Sequence, residues 1–209
     1  MTMQSPHTAP PPAMVAVLDD DEDLACTIAR LLTRHGFAAQ AFFDTATVST
    51  ALDGQVFGCL VSDIQLGTTD GFAFAESLRS RVPALALVFM TAWPTTTHAV
   101  DAVRRHGGLD YLEKPIDTDR LVSAVSEGLN WSERERRILT LTSLFTRRER
   151  EVFDLLVRGH SNKEIADRLA ISARTVEDHR AAIVAKTQTN GLAQLIALSR
   201  GEGTPPLPR

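Results

Sequence analysis

The stretch Val56 to Asp63 is an apolar run that stops abruptly at a carboxylate. A short apolar run bounded by turn residues reads as a strand buried on both faces of a parallel sheet. Ligands of open parallel sheets bind beyond the carboxyl ends of the strands, so Asp63 stands where chemistry would occur. Three more segments end the same way. Met14 to Leu18 runs into Asp19 and Asp20, Leu85 to Met90 runs into Thr91, and Leu109 to Leu112 delivers Lys114 followed by Pro115. Three carboxylates, a hydroxyl and an ammonium group are therefore expected to converge on one sheet edge.

Between these strands the apolar spacing turns helical. Leu24, Ile28, Leu31 and Leu32 predict a helix that stops at Gly36, a natural left-handed C-cap. Ala38 to Phe43 completes the strand set. Further helices are expected over Thr45 to Leu52, Gly71 to Leu78, His98 to Val103 and Ile116 to about Leu129. Strands alternating with helices specify a doubly wound α/β fold with a five-stranded parallel sheet.

That fold uses well over half of the 209 residues, and the charge balance changes behind it. Residues 132–209 hold 14 Lys and Arg against 10 Asp and Glu, a balance of +4; residues 1–131 hold 8 against 16, or −8. An acidic front joined to a basic back suggests a nucleic-acid partner for the back, although +4 is modest. No apolar segment reaches membrane-spanning length, and the N-terminus lacks the layout of a signal peptide. Cys26 and Cys59 have no paired metal spacing and read as small core residues, as expected of a cytoplasmic protein.

Asp19-Asp20, Asp63, Thr91-Ala92 and Lys114-Pro115, at these separations, resemble the receiver domain of two-component response regulators. The resemblance covers roughly residues 14–131 and implies a CheY/flavodoxin-like fold. Several carboxylates without a His or Cys neighbour suit a hard, oxygen-seeking cation such as Mg²⁺, which would relieve their mutual repulsion. Asp63 would be the nucleophile that forms an aspartyl-phosphate. Lys114 and the Thr91 hydroxyl would stabilise the phosphoryl oxygens. The resemblance further implies a sensor histidine kinase as phosphoryl donor. It also implies Asp20 and Asp63 as direct Mg²⁺ ligands, Asp19 acting through water, the Gln65 carbonyl completing the set, and Tyr111 with Thr91 as a switch pair. An ordinary strand aromatic is the other reading of Tyr111. The loop after Asp63 departs from the family pattern, with Gly67 where proline is usual, so a looser loop is expected there.

At the junction, Ser132-Glu133-Arg134-Glu135 fits a capping box, while the alternating charges that follow read more simply as a solvated extension of the preceding helix. Behind it, Thr146-Arg147-Arg148-Glu149 and Ser161-Asn162-Lys163-Glu164 are two more boxes. Ser172 caps a helix running to about Thr187, and Asn190 to Leu198 gives a last one. Two short helices joined by a tight turn describe a helix-turn-helix within a small all-α, four-helix domain. Thr146 to Val152, Ser161 to Ala166 and Ile171 to Arg180, with Lys186, closely resemble the LuxR-type DNA-binding domain over about residues 143–200. With the receiver, this identifies the chain as a member of the NarL/FixJ family of response regulators. The second helix of such a motif enters the major groove. Arg174, Glu177, Asp178, Ala181 and Arg180 are candidates to face bases, and Lys163, Arg174, Thr175 and Lys186 to meet phosphate. Glu177 and Asp178 have two readings: acceptors from cytosine amino groups that exclude wrong bases, or, for Glu177, a solvated partner of Arg174 or Arg180.

The expected organisation is a disordered N-terminus over 1–12, a receiver over 13–129, a linker over 130–143, the helix-turn-helix domain over 144–200 and a disordered tail over 201–209. The expected function is a DNA-binding response regulator. Phosphoryl transfer to Asp63 would alter the face made by the fourth helix, fifth strand and fifth helix, favour a homodimer and control transcription from double-stranded DNA, with RNA polymerase as a further possible partner. The alternative is a regulator whose receiver works without phosphate. A Mg²⁺-dependent phosphatase is disfavoured because Gln65 stands where such enzymes carry a second carboxylate. The protein is thus expected not to be an enzyme beyond its own phosphorylation and slow dephosphorylation. Trp93, a bulky residue two past Thr91, is expected to restrict attacking water. Autodephosphorylation of Trp93→Ala, followed by loss of radiolabel from the phosphoprotein, should run faster than wild type.

Overall fold

The computed structural model describes residues 13–94, 102 and 107–200. The helix expected over His98 to Val103 lies, apart from Ala102, outside these residues, as do the two terminal segments. The chain divides after Ser132 into two compact units.

The first unit is built on a five-stranded sheet of order β2-β1-β3-β6-β7, in which every neighbouring pair is parallel. Its strands are β1 (Met14–Leu18), β2 (Ala39–Phe42), β3 (Phe57–Asp63), β6 (Ala86–Thr91) and β7 (Asp110–Glu113). The helices are α1 (Glu22–Arg34), α2 (Thr45–Gly54), α3 (Gly71–Arg81) and α4 (Thr118–Ser143). Side chains alternate across the strands and build a core on each face of the sheet. Ala16 and Leu18 join Leu60 and Phe89 with Val48 and Leu52 of α2 and Phe72, Ala75 and Leu78 of α3. Val15 and Val17 join Val61, Val88 and Met90 with Ala25, Ile28 and Leu32 of α1 and Leu121, Ala124 and Val125 of α4. Cys59 lies in the second core, where burial pushes its thiol up to about 12.

Helix α1 is capped by the Asp21 carboxylate, which accepts from Leu24 N–H at 3.0 Å, and Gly36 past its end has φ +90°. Helix α4 runs through the junction without interruption. Ser132 is therefore not an N-cap; its buried hydroxyl donates to the Ala84 carbonyl at 2.5 Å. Arg137 and Glu133 pair one helical turn apart. Gly128 lets α4 lie close on the sheet, since a Cβ there would be 3.1 Å from Cys59 Sγ and 3.2 Å from Ala86 Cβ.

The segment between β3 and α3 is more ordered than its composition suggests. β4 (Gln65–Leu66) and β5 (Thr69–Asp70) pair antiparallel, with Gly67 at the tip at φ +58°. The Asp70 carboxylate caps α3 by accepting from Phe72 N–H at 2.9 Å.

The second unit packs α5 (Arg147–Val157), α6 (Asn162–Leu169), α7 (Ala173–Thr187) and α8 (Leu192–Ser199) around Val152, Phe153, Leu156, Ile165, Val176, Ile183 and Leu195. Both expected capping boxes, Thr146 with Glu149 and Ser161 with Glu164, are complete. Ala170 ends α6 in the left-handed region at φ 52°, and Ser172 caps α7 two residues on. Helix α8 starts at Leu192, behind the Gly191 N-cap, instead of at Asn190.

Gly71 is closely hemmed in by backbone. A Cβ there would meet the Asp63 carbonyl at 2.3 Å and the Ile64 carbonyl at 2.9 Å, both backbone atoms that cannot step aside. Gly71→Ala should destabilise the protein by about 1–3 kcal/mol, read as a lower urea midpoint at unchanged slope.

Candidate functional site

Parallel register carries four strand ends to one edge of the first unit. Leu18 lies opposite Ser62, Asp63 opposite Met90, and Thr91 opposite Glu113, so Asp19, Asp63, Thr91 and Lys114 meet there. Lys114 Nζ sits between two carboxylates, 2.6 Å from Asp19 Oδ2 and 2.6 Å from Asp63 Oδ2. The other oxygens are also held: Asp21 N–H donates to Asp19 Oδ1 at 3.0 Å, and Gln65 N–H to Asp63 Oδ1 at 3.1 Å. Asp20 is exposed, and its Oδ2 accepts from Gly67 N–H at 3.0 Å.

Burial pushes the Asp19 carboxyl up, against the pull of Lys114 and the Asp21 N–H, and the Asp63 charge adds to the push. Burial also works against the Lys114 charge, but its bonds to Asp19 and Asp63 outweigh it and hold the ammonium above its ordinary value. Lys114 is therefore firmly cationic, set in a site with more negative charge than one cation neutralises. Oxygens of Asp19, Asp20 and Asp63 lie within 4.8 Å of one another. An all-oxygen donor set of that size, already partly desolvated, fits a hard divalent cation such as Mg²⁺. What the structure gives for Gln65 is its N–H bond to Asp63 and an exposed side chain.

Thr91 is 3% exposed, and its Oγ1 accepts from Trp93 N–H at 3.1 Å, which leaves the hydroxyl proton free to donate elsewhere. Trp93 itself is 71% exposed. Tyr111 packs at the margin of the first core beside Phe89, and among the described residues its buried hydroxyl has no hydrogen-bond partner. The β4–β5 pairing replaces the loose loop expected around Gly67, because a left-handed glycine closes the turn and keeps an N–H that proline lacks.

In the second unit, α7 exposes Arg174, Glu177, Asp178 and Ala181, while Thr175 and Arg180 are half-buried. These positions recur at helical spacing and form one face. Glu177 is solvated, and among the described residues neither it nor Asp178 takes part in an ion pair, so the pairing with Arg174 or Arg180 in one of its two readings is not made. Arg180 bonds Asn162 of α6 instead. Lys186 Nζ lies 2.5 Å from Oε2 of the buried Glu149, and Lys163 is exposed on α6. Sequence reasoning missed the Glu149–Lys186 pair. No local pattern points to it, because the two residues are 37 positions apart.

A sheet of this order with that acidic edge is a receiver domain, and the second unit is a helix-turn-helix; a chain carrying both is a DNA-binding regulator. The family described as the response regulator receiver domain matches residues 15–126, and that of bacterial regulatory proteins, luxR family, matches residues 143–199. Over 196 residues the chain is 32% identical to the transcriptional regulatory protein FixJ of Bradyrhizobium diazoefficiens, covering 90% of this chain and 95% of that one. It is also 32% identical over 187 residues to the tetrathionate response regulatory protein TtrR of Salmonella typhimurium, covering 88% and 90%. The solved structure of the response regulator StyR matches with a TM-score of 0.55 at 30% identity, covering 90% of this chain and 98% of the other. The chain belongs to the NarL/FixJ family of two-component response regulators. Among the described residues, no helix is long and apolar enough to cross a membrane.

Glu149 supplies a pH test of the second unit. Burial pushes its carboxyl up, but Lys186 and the Thr146 N–H and hydroxyl more than offset this and hold it below the ordinary 4.5. A carboxyl depressed in the folded state adds stability that is fully present above the unfolded value and is lost as pH falls through the folded one. Glu149→Gln should therefore cost about 1–2 kcal/mol at neutral pH. Thermal unfolding followed by circular dichroism should show that gap closing between about pH 5 and pH 3.

Proposed function

We propose that Asp63 accepts a phosphoryl group from a sensor histidine kinase and that this modification controls dimerisation and transcription. The observation that carries the reading is Lys114 bridging Asp19 and Asp63 beside Asp20, at the carboxyl ends of parallel strands. An oxygen of Asp63 forms the new bond to phosphorus while the bond from phosphorus to the donor imidazole nitrogen breaks, and the imidazole leaves. Lys114, already on Asp63 Oδ2, is placed to follow charge onto a phosphoryl oxygen. The Thr91 hydroxyl has its proton to give to another. Asp19, Asp20 and Asp63, with the Gln65 carbonyl, would hold Mg²⁺; when bound, it would relieve carboxylate repulsion and neutralise phosphoryl charge. Thr91 and Tyr111 act as the switch: a hydroxyl drawn to phosphate opens room for a ring whose own hydroxyl has no hydrogen-bond partner among the described residues.

On DNA, helix α7 enters the major groove. Arg174, Glu177, Asp178 and Ala181 face base edges, and Lys163, Arg174 and Thr175 meet phosphate near the helix start. The engagement of Arg180 with Asn162 and of Lys186 with Glu149 makes these two the weakest of the expected DNA contacts. The kinase, an operator in double-stranded DNA and a second copy of the chain are the partners; RNA polymerase is the further partner a transcriptional regulator allows.

Light scattering of the full chain with and without Mg²⁺ and beryllofluoride, a phosphoryl mimic, tests the switch. Wild type should pass from monomer to dimer, and Asp63→Asn should not respond. A response that survives Asp63→Asn would support the phosphate-independent alternative.

A further inference from the structure

Asp20 is the exposed member of the acidic site, on the first turn of chain beyond β1. An exposed aspartate samples several rotamers, and fixing one to bind a cation is entropically unfavourable. Among the described residues its carboxylate makes one hydrogen bond, from the N–H of Gly67, 47 positions along the chain. That bond takes Oδ2 and leaves Oδ1 without a hydrogen bond among the described residues, and a carboxylate oxygen of Asp20 lies within 4.8 Å of oxygens of Asp19 and Asp63. Gly67 can donate because it sits at φ +58° at the tip of the β4–β5 hairpin. A proline there would have no N–H and would need φ near −65°. Space is not the constraint, since a Cβ on Gly67 would lie 3.8 Å from Asp20 Oδ2, an ordinary contact.

We propose that the Gly67 N–H is a positioning group for the cation site, orienting Asp20 as a ligand and coupling cation binding to the order of the hairpin. The inference rests on the reading of Asp19, Asp20 and Asp63 as the metal site. Gly67 touches neither phosphoryl group nor cation; it acts through Asp20.

The test is calorimetric titration of the full chain with MgCl₂, alongside thermal unfolding of each variant. Gly67→Pro should weaken Mg²⁺ binding about ten-fold, the worth of one hydrogen bond to a charged acceptor. Gly67→Asn keeps the N–H and tolerates the left-handed region, so it should stay within about two-fold of wild type. Gly67→Ala keeps the N–H but strains the backbone, and should fall between. The Ala and Asn pair carries the comparison if the proline variant does not fold. A purely structural role would lower the unfolding temperature without moving the affinity. Because coupling is reciprocal, Asp20→Ala should speed hydrogen exchange at the Gly67 amide. Equal Mg²⁺ affinity in wild type, Gly67→Pro, Gly67→Ala and Gly67→Asn, with Asp20→Ala weakened, would overturn this proposal and leave the metal site standing. No Mg²⁺ binding by wild type, or none lost in Asp20→Ala, would overturn both.

Discussion

One ammonium group shared by two carboxylates governs the first unit. Lys114 reaches Asp19 and Asp63 from just beyond β7; Asp19 follows β1 and Asp63 is the last residue of β3. A parallel sheet in this strand order is what brings residues 51 and 95 positions apart onto one nitrogen. A surface pair of this kind would contribute little, but here Asp19 is 1% exposed and the attraction acts in a poorly solvated place. The charge count is left uneven, with three carboxylates to one lysine. The site is thus held together and still short of positive charge, a condition that favours taking up a cation.

The second unit uses the same device for a different end. Glu149 completes its own capping box and also receives Lys186, so the first and third helices of the motif are joined by one buried carboxylate. Arg180 and Asn162 add a tie between α6 and α7. Arg180 and Lys186, two cations of α7, are thereby committed to fixing that helix on its scaffold. The exposed face that remains carries Glu177 and Asp178 beside Arg174 and Ala181.

Most of this architecture was legible because its signals are local. Capping boxes lie within four residues, apolar runs mark strands by themselves, and Gly36 follows a helix end at the expected place with φ +90°. The strand-end residues were legible because topology, once inferred, leaves them one edge to share. What escaped depends on backbone groups and on distant partners. The Gly67 N–H to Asp20 and the Ser132 hydroxyl to the Ala84 carbonyl each join segments 47 or 48 residues apart, and one partner of each is a main-chain atom that every residue possesses. Gly67 was read as slack because glycine is permissive, whereas a permissive residue at φ +58° is what closes the turn. The roles assigned to individual DNA-facing residues follow from the family resemblance, and the fold alone does not assign them.

The Glu149–Lys186 pair also bears on how salt would act on the regulator. Affinity for a polyanion falls with ionic strength in proportion to the number of phosphates the protein neutralises, because that number sets how many condensed counterions are released. A lysine already balanced by a buried glutamate brings no net charge to the duplex unless the pair opens. The salt exponent of this protein would then count Lys163, Arg174 and the other untethered cations, and would understate the total number of basic residues lying near DNA.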